Sequence, residues 1–230
     1  RILGAVAPFR SPHHSASPNA ILGAELYPGE ISLAHGGILF LDEFPEFRKD
    51  IIEALREPLE TGEIKISRVK SKVHWPSKFL LVIAANNCPC GWLGSEDRRC
   101  ICTTQKIMNY KRKLSGPILD RIDIHIHMDQ LVVKKDKFLR SLSIKDRKTK
   151  EQTQRIAEKI LRGQNHAAER NKKWNLFYNR DLKAEHIVEA FALDEKSFEQ
   201  MIESHNLEKL STRAFLKVLK VSRTLADLEE

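Results

Sequence analysis

Not one of the ten glycines in this 230-residue sequence is followed by lysine, so the chain contains no GxxxxGK[ST] loop to cradle a phosphate. No uninterrupted apolar run approaches the roughly 20 residues that cross a bilayer, and no signal peptide opens the sequence. These absences argue against a membrane protein and make a cytoplasmic location the default expectation. Acidic residues are missing from the whole stretch Ile64 to Ser95, which still carries Lys65, Arg68, Lys70, Lys72, His74 and Lys78. Cysteine is scarce and confined. All four cysteines fall between Cys88 and Cys102, which points to one local site rather than a disulfide framework.

A composition of 41% hydrophobic and 30% charged residues reads as soluble and globular, with length for one large domain or two small ones. The net charge of +8 is unevenly spread. Residues 1–130 carry 17 Lys and Arg against 15 acids, and residues 131–230 carry 22 against 16. A polyanionic partner, nucleic acid first, fits that balance; a well-solvated basic surface is the plainer alternative.

Pattern divides the chain. Residues 1–35, rich in Pro, Ser and His, read mostly as loop. Ile38–Leu41, preceded by Gly36-Gly37, reads as a strand buried on both faces of a parallel sheet. Ile51, Ile52, Leu55 and Leu59 follow at helical spacing, with Gly62 placed to end the helix. "EIKISRVKSKVHWP" alternates as a β-hairpin centred near Val69–Ser71, and "FLLVIAANN" reads as a second buried strand ending at Asn86-Asn87. A helix is expected from about Thr104 to Leu114. Another should start at Ser115-Gly116-Pro117. Ile122–His127 ("IDIHIH") alternates as a third strand. Residues 134–150 hold eight basic residues against two acids and look like a linker. Everything from 151 onward is helical in pattern, ending in a helix capped by Ser211 with Phe215, Leu219, Ser222 and Leu225 at helical spacing. The picture is α/β to about 130, a basic linker over 131–150, and an all-helical unit over 151–230.

Four places carry candidate chemistry. "ILFLDEF" ends an apolar strand in Asp42-Glu43, where one carboxylate suits Mg²⁺ and the other a base that orients water. The plain alternative is a buried strand emerging into solvent. Asn86 ends the neighbouring apolar run, where an amide can hydrogen-bond water or a phosphate without adding charge; turn asparagines after strands are also common. Arg121 in "SGPILDRIDIHI" precedes a strand at an expected exposed corner, where it can reach the phosphates of a neighbouring subunit or pair with Asp120 or Asp123. Arg213 sits in the first turn of the final helix, an unfavourable place for a cation unless an anionic ligand lies nearby.

In that order, with "RSPHHSAS", "PGEISLAHGGILFLDEFPEF", "EALREPLETGEIKISR", "NNCPCG", "LSGPILDRIDIHI" and "STRAFLKVLKVSRTLADLE", the chain resembles the magnesium-chelatase-like ComM/YifB family of AAA+ ATPases. Residues 131–210 match only loosely. The resemblance implies a partial AAA+ α/β core followed by a helical lid, usually assembled as a hexamer. It implies ATP and Mg²⁺ as ligands. Asp42 would hold Mg²⁺ through water, Glu43 would be the catalytic base, and Asn86 the sensor 1 residue, with Asn87 in place of the family's usual Pro. Arg121 would be the arginine finger and Arg213 sensor 2. The family's phosphate loop lies upstream of "RSPHHSAS", so the chain is expected to be the downstream part of a longer protein and unable to hydrolyse ATP normally by itself.

Cys88, Cys90, Cys100 and Cys102 form C-x-C, nine residues, C-x-C. That is the ligand count of structural zinc at tighter spacing than usual; reduced structural thiols and a redox pair are the alternatives. The basic hairpin with Lys65, Arg68, Lys70 and Lys72 resembles the pore-facing hairpin of related AAA+ helicases, and its charge suits phosphate contacts. A solvated surface hairpin is the alternative. His13 and His14, in a loop beside Pro, are expected to pack or hydrogen-bond locally. The leading expectation is a motor that remodels DNA, of helicase or branch-migration type. A chelatase-type ATPase acting on a protein partner and a non-enzymatic zinc-braced DNA-binding module are the competing classes.

Overall fold

The computed structural model describes residues 6–68, 71–95, 98–114, 116–128, 145–192, 194–204 and 207–229. Lys70, Ser115, and residues 131–144 of the expected linker therefore lie outside the described residues. The chain divides into two units, Arg1–Ile124 and His125–Glu230.

The first unit is built on a parallel sheet of β1 (Phe9–Arg10), β2 (Ile38–Leu41) and β5 (Leu80–Ile83), in the order β1-β2-β5. Register runs Phe9↔Ile38 on one side and Ile38↔Leu80 through Leu41↔Ile83 on the other. Close approach of β1 depends on Gly37: a Cβ there would stand 1.9 Å from the Pro8 carbonyl oxygen, which accepts the Ile38 N–H at 2.8 Å. The stretch expected to be mostly loop also holds two short helices, α1 (Pro18–Leu22) and α2 (Glu30–Leu33). Ser17 caps α1 by accepting the Ala20 N–H, and Arg10 makes a two-pronged ion pair with Glu30 on α2. Polar composition conceals these elements because Ile21 and Ile31, one from each helix, are both fully buried.

Leu39 and Leu41 enter the core with Phe44, Phe47, Ile51, Ile52 and Leu55, all almost wholly shielded from water. Ile38 and Phe40, on the opposite face, are only half-buried. β5 is not buried on both faces. Leu80 and Val82 are 58% and 39% exposed, on the same face as Phe9, which no described element covers there, and among the described residues β5 pairs with β2 alone.

The helix after β2 is split into α3 (Lys49–Ala54) and α4 (Arg56–Thr61). Pro58 has no N–H to give to the Ala54 carbonyl, so the ladder breaks one turn before it. Gly62 then ends α4 in the left-handed conformation at φ 73°. β3 (Glu63–Arg68) and β4 (Ser71–Pro76) form the expected antiparallel hairpin. Ile64, Ile66 and Trp75 pack on the core from one face, and the Trp75 indole donates to the Ala24 carbonyl at 3.0 Å. Helices α5 (Thr104–Lys113) and α6 (Gly116–Leu119) close the unit.

Ile122–His127 is not a strand. Alternation supplies a candidate edge, but no described strand pairs with it, and Ile124 and Ile126 are 62% and 79% exposed.

The second unit is helical among the described residues: α7 (Lys145–Asn171), α8 (Ala184–Phe191), α9 (Glu195–Ser204) and α10 (Thr212–Glu229). Residues 145–150 of the expected linker thus belong to α7. Leu182, Ile187, Ala190, Phe198 and Leu219 form the core, with Trp174, Phe215 and Leu216 against it. Ser211 caps α10 through the Ala214 N–H at 3.3 Å. Ser222 and Leu225 face solvent, because the inward face of α10 continues instead through Arg223 and Asp227. Buried Asp227 accepts both guanidinium prongs of Arg170 from α7, two hydrogen bonds from Arg223, and one from Asn179 at 2.7 Å. Burial opposes the ionised carboxylate, but these donors outweigh it and hold Asp227 below the usual carboxylate range.

Candidate functional site

The carboxyl ends of β2 and β5 lie side by side, and the chain knots them together there. Ala84 donates its N–H to the Leu41 carbonyl at 3.0 Å, and Phe44 returns its own N–H to the Ala84 carbonyl at 2.9 Å. Asp42 and Glu43 are the two residues between Leu41 and Phe44, so both are held on a short bridge at the strand end. Both are exposed. Asp42 Oδ1 accepts the Glu43 N–H at 2.8 Å, which leaves Oδ2 open among the described residues.

Glu43 is in the left-handed region at φ 50°, ψ 41°. That conformation costs a residue with a Cβ on the order of 1 kcal/mol and is tolerated where the surroundings impose it. Here the buried Phe44 and Pro45 that follow begin a 3₁₀ turn and force the reversal. The Glu43 side chain points at His14, whose Nδ1 lies 3.0 Å from Oε2. His14 is steadied by ring contacts with His13 at 4.1 Å and Phe47 at 6.4 Å. The local packing expected of the two histidines is present, but one of them also touches the candidate base. Nothing in the sequence signals that contact, because 29 positions separate the partners.

Asn86 leaves β5 on the same side. Its side-chain amide is exposed and makes no hydrogen bond among the described residues. Its main-chain N–H points at the hydroxyl of Tyr110 on α5, a residue only 5% exposed. Burial raises the Tyr110 pKa, the nearby Glu46 and Glu43 carboxylates add to the rise, and the hydroxyl stays neutral. α5 packs against the 3₁₀ turn that follows Glu43, so Tyr110 lies near the carboxylate bridge as well as facing the Asn86 N–H. Sequence reasoning missed it, and the signal available was the one aromatic residue of α5.

Asn87 has a separate task. Its Nδ2 donates to the Leu93 carbonyl at 3.3 Å and braces the loop that carries the cysteines. Within that loop the four sulfur atoms lie within 4.8 Å of one another, and all four cysteines are free. Sγ distances are 3.5 Å for Cys88–Cys90, 3.7 Å for Cys88–Cys100 and 3.6 Å for Cys90–Cys100. The main-chain N–H groups of Trp92 and Ile101 lower the Cys90 thiol to about 6. The Cys102 N–H favours the Cys100 thiolate, but burial and the adjacent thiols outweigh it and push Cys100 up to about 12. Burial and Cys90 raise Cys102 as well. Four soft sulfur donors at this separation are a set able to bind a metal such as zinc.

The two candidate arginines are carried by other elements. Arg121 is not at an exposed corner: its side chain is 9% exposed, donating to the Pro117 carbonyl and to Glu60 Oε1 at 2.5 Å. Its Nε is buried without a hydrogen-bond partner. Arg213 belongs to the second unit, with its side chain exposed in the first turn of α10.

On the hairpin, Lys65 stands opposite His74 and Ser67 opposite Lys72, which places these residues on the face away from Ile64 and Trp75. Lys65 and Lys72 are exposed, whereas His74 lies 3.4 Å from Glu63. Arg68 pairs with Ser71 in the backbone ladder next to the tip.

The family model described as magnesium chelatase, subunit ChlI, matches residues 3–136. The model of that subunit's C-terminal part matches residues 150–230. Competence protein ComM of Haemophilus influenzae is 40% identical over 226 residues, covering 96% of this chain and 42% of that protein. The uncharacterized proteins YifB of Salmonella typhimurium and Escherichia coli are 37% and 35% identical over 225 and 227 residues. Those alignments cover 96% and 97% of the chain and 42% of each relative. The chain spans about two fifths of the length of the curated relatives it matches.

Proposed function

This chain belongs to the magnesium-chelatase-like family that includes ComM and YifB, and from that premise we propose that it forms the water-activating half of an AAA+ ATPase that remodels DNA. The observation that carries the reading is the bridged end of β2 and β5, which presents two carboxylates on the side of the sheet where the exposed Asn86 leaves β5. Mg²⁺ with its bound waters neutralises charge on the phosphates of ATP and lowers the barrier to their transfer. An open oxygen on exposed Asp42 fits a hard, water-carrying cation of that kind.

Glu43 accepts a proton from the attacking water. Its backbone strain and the His14 contact fix where that oxygen points. Asn86 holds the water or the terminal phosphate by its amide, with Tyr110 setting the height of the loop. Arg213 reads the nucleotide from the helical unit. Arg121 acts on the nucleotide of an adjacent subunit in a ring, and in this role it exchanges Glu60 for a phosphate. The phosphate cradle is not among these residues and the chain spans about two fifths of the length of its relatives, so hydrolysis is proposed for a polypeptide in which such a loop accompanies this chain.

DNA as the client rests on the hairpin. Its outer face offers Lys65 and Lys72, Arg68 pairs with Ser71 beside the tip, Lys70 adds a further basic residue to the sequence between those two, and no acid follows Glu63 until Glu96. Such charge binds phosphates without reading bases. The family description favours a second reading, in which hydrolysis remodels a protein for metal insertion. Anisotropy titrations of the natural polypeptide with duplex and single-stranded DNA at 50 to 200 mM salt separate the two. Under the DNA reading, Lys65→Glu with Lys72→Glu weakens binding on every sequence and flattens the salt slope by about 1.8, two phosphate contacts at about 0.9 each. No binding at the lowest salt, with hydrolysis raised by a protein partner instead, selects the chelatase reading.

A further inference from the structure

We propose that Cys88, Cys90, Cys100 and Cys102 hold one zinc ion as a structural four-thiolate centre, and that this ion ties the Asn86 loop to the start of α5. Zinc at about 2.3 Å from each of four sulfurs in a tetrahedron requires sulfurs about 3.8 Å apart. The pairs among Cys88, Cys90 and Cys100 stand at 3.5, 3.6 and 3.7 Å, and all four sulfurs lie within 4.8 Å of one another. A cage of that size holds a single ion. It is too small to surround a multinuclear iron–sulfur cluster with its bridging sulfides.

The main chain is arranged for sulfur anions. The Trp92 N–H points back at Cys90 and the Cys102 N–H at Cys100, each two residues on, and Ile101 adds a second donor to Cys90. Cys88 accepts the Gly91 N–H on its carbonyl at 3.0 Å, which closes the Cys88–Gly91 turn and brings the first two thiols to one side. Gly91 makes this turn in the left-handed region at φ 78°. N–H donors of this kind spread the charge that four thiolates would otherwise concentrate, as outer partners of metal ligands do.

The loop also needs a staple. Between Ile83 and Thr104 no described residue lies in a helix or strand, and Cys88 is the one described residue of that span that is fully buried. So long an irregular segment in a compact unit calls for some other source of rigidity. The site has the right position to supply it. Cys88 stands two residues past Asn86, and Cys102 stands just before Thr103, whose hydroxyl caps α5 through the Lys106 N–H at 3.3 Å. One ion therefore joins the end of β5 to the start of the helix that carries Tyr110. Metal binding stands independently of the ATPase reading; only the consequence for Asn86 as a sensor rests on it.

The test uses the whole chain, expressed with zinc and purified without chelator. Elemental analysis is expected to find one zinc per chain, and a mercurial titration to release it as four thiols react. Cys100→Ser and Cys102→Ser should each lower the zinc content at least tenfold. Should those variants fail to fold, cobalt(II) substituted into the unaltered chain gives a second readout: thiolate-to-metal charge transfer together with the intense visible bands of a tetrahedral site. A folded chain that is metal-free with four reactive thiols overturns the proposal. So does iron in place of zinc, or the weak visible spectrum of octahedral cobalt. None of these readouts involves nucleotide, so they stand or fall apart from the proposed activity.

Discussion

Replacing Asp227 with Asn should unfasten the helical unit at almost constant shape. The wild-type carboxylate is 1% exposed and accepts five hydrogen bonds: two from Arg170, two from Arg223 and one from Asn179. An amide has one acceptor oxygen, and its NH₂ must then face a donor. Both guanidinium groups lose the Asp227 charge they share, with the Arg170 and Arg223 side chains 18% and 11% exposed. Breaking a buried pair by removing one partner costs about 3–5 kcal/mol. Residual access of water to both arginines places this site toward the lower end, about 3 kcal/mol. Urea unfolding followed through Trp174, in a chain with Trp75→Phe and Trp92→Phe, reads the helical unit by itself, since Trp174 packs against its core. The pH dependence supplies an independent check. Because the folded-state pKa of Asp227 is depressed, its contribution is complete above the unfolded carboxylate pKa of about 4 and is lost as pH falls through the lower folded value. Wild-type stability should therefore fall below about pH 4, and the Asn variant should lack this part of the fall. A loss under about 1 kcal/mol, or the same acid dependence in both proteins, refutes the reasoning.

Two further substitutions probe the ends of the strands. Tyr110→Phe removes the hydroxyl that the Asn86 N–H faces, and should cost about 1 kcal/mol in urea unfolding of the first unit. Amide exchange at Asn86 should quicken by about fivefold at the same time, and unchanged exchange would mean the hydroxyl does not hold that loop. Gly37→Ala places a methyl 1.9 Å from the Pro8 carbonyl oxygen, a clash that only backbone movement relieves. It should lower stability by about 1–3 kcal/mol and expose the Ile38 amide to exchange, whereas a neutral substitution would show that β1 and β2 are not so closely joined.

The carboxylate bridge was legible in the sequence because its cause is local. Ile38–Leu41 needs burial, and a buried parallel strand must deliver whatever follows it to the carboxyl edge of the sheet. The cysteine cluster was legible for the same reason, with all four thiols inside fifteen positions. Contacts between distant segments were not. Arg121 looks exposed in sequence because its partner Glu60 lies 61 positions away, and His14 shows no sign of its reach to Glu43. Periodicity also overreached. "IDIHIH" has the alternation of a strand and no described partner strand, while the apolar run of β5 promises burial on a face that the described residues leave open. Alternation and apolarity report what a segment is able to pair with or bury against, and topology decides whether the counterpart is present.

Glu43→Gln tests the central claim most directly, since it keeps the size of the side chain and removes only its capacity to take a proton. Steady-state Mg-ATP hydrolysis is to be measured on the natural polypeptide that contains this chain, beside nucleotide binding by equilibrium titration. A positioned general base contributes about 10²–10⁴-fold, so turnover should fall at least about 100-fold while binding stays within about threefold. Turnover within about threefold of wild type would contradict the account and return Asp42 and Glu43 to the status of two acids at the wet end of a strand.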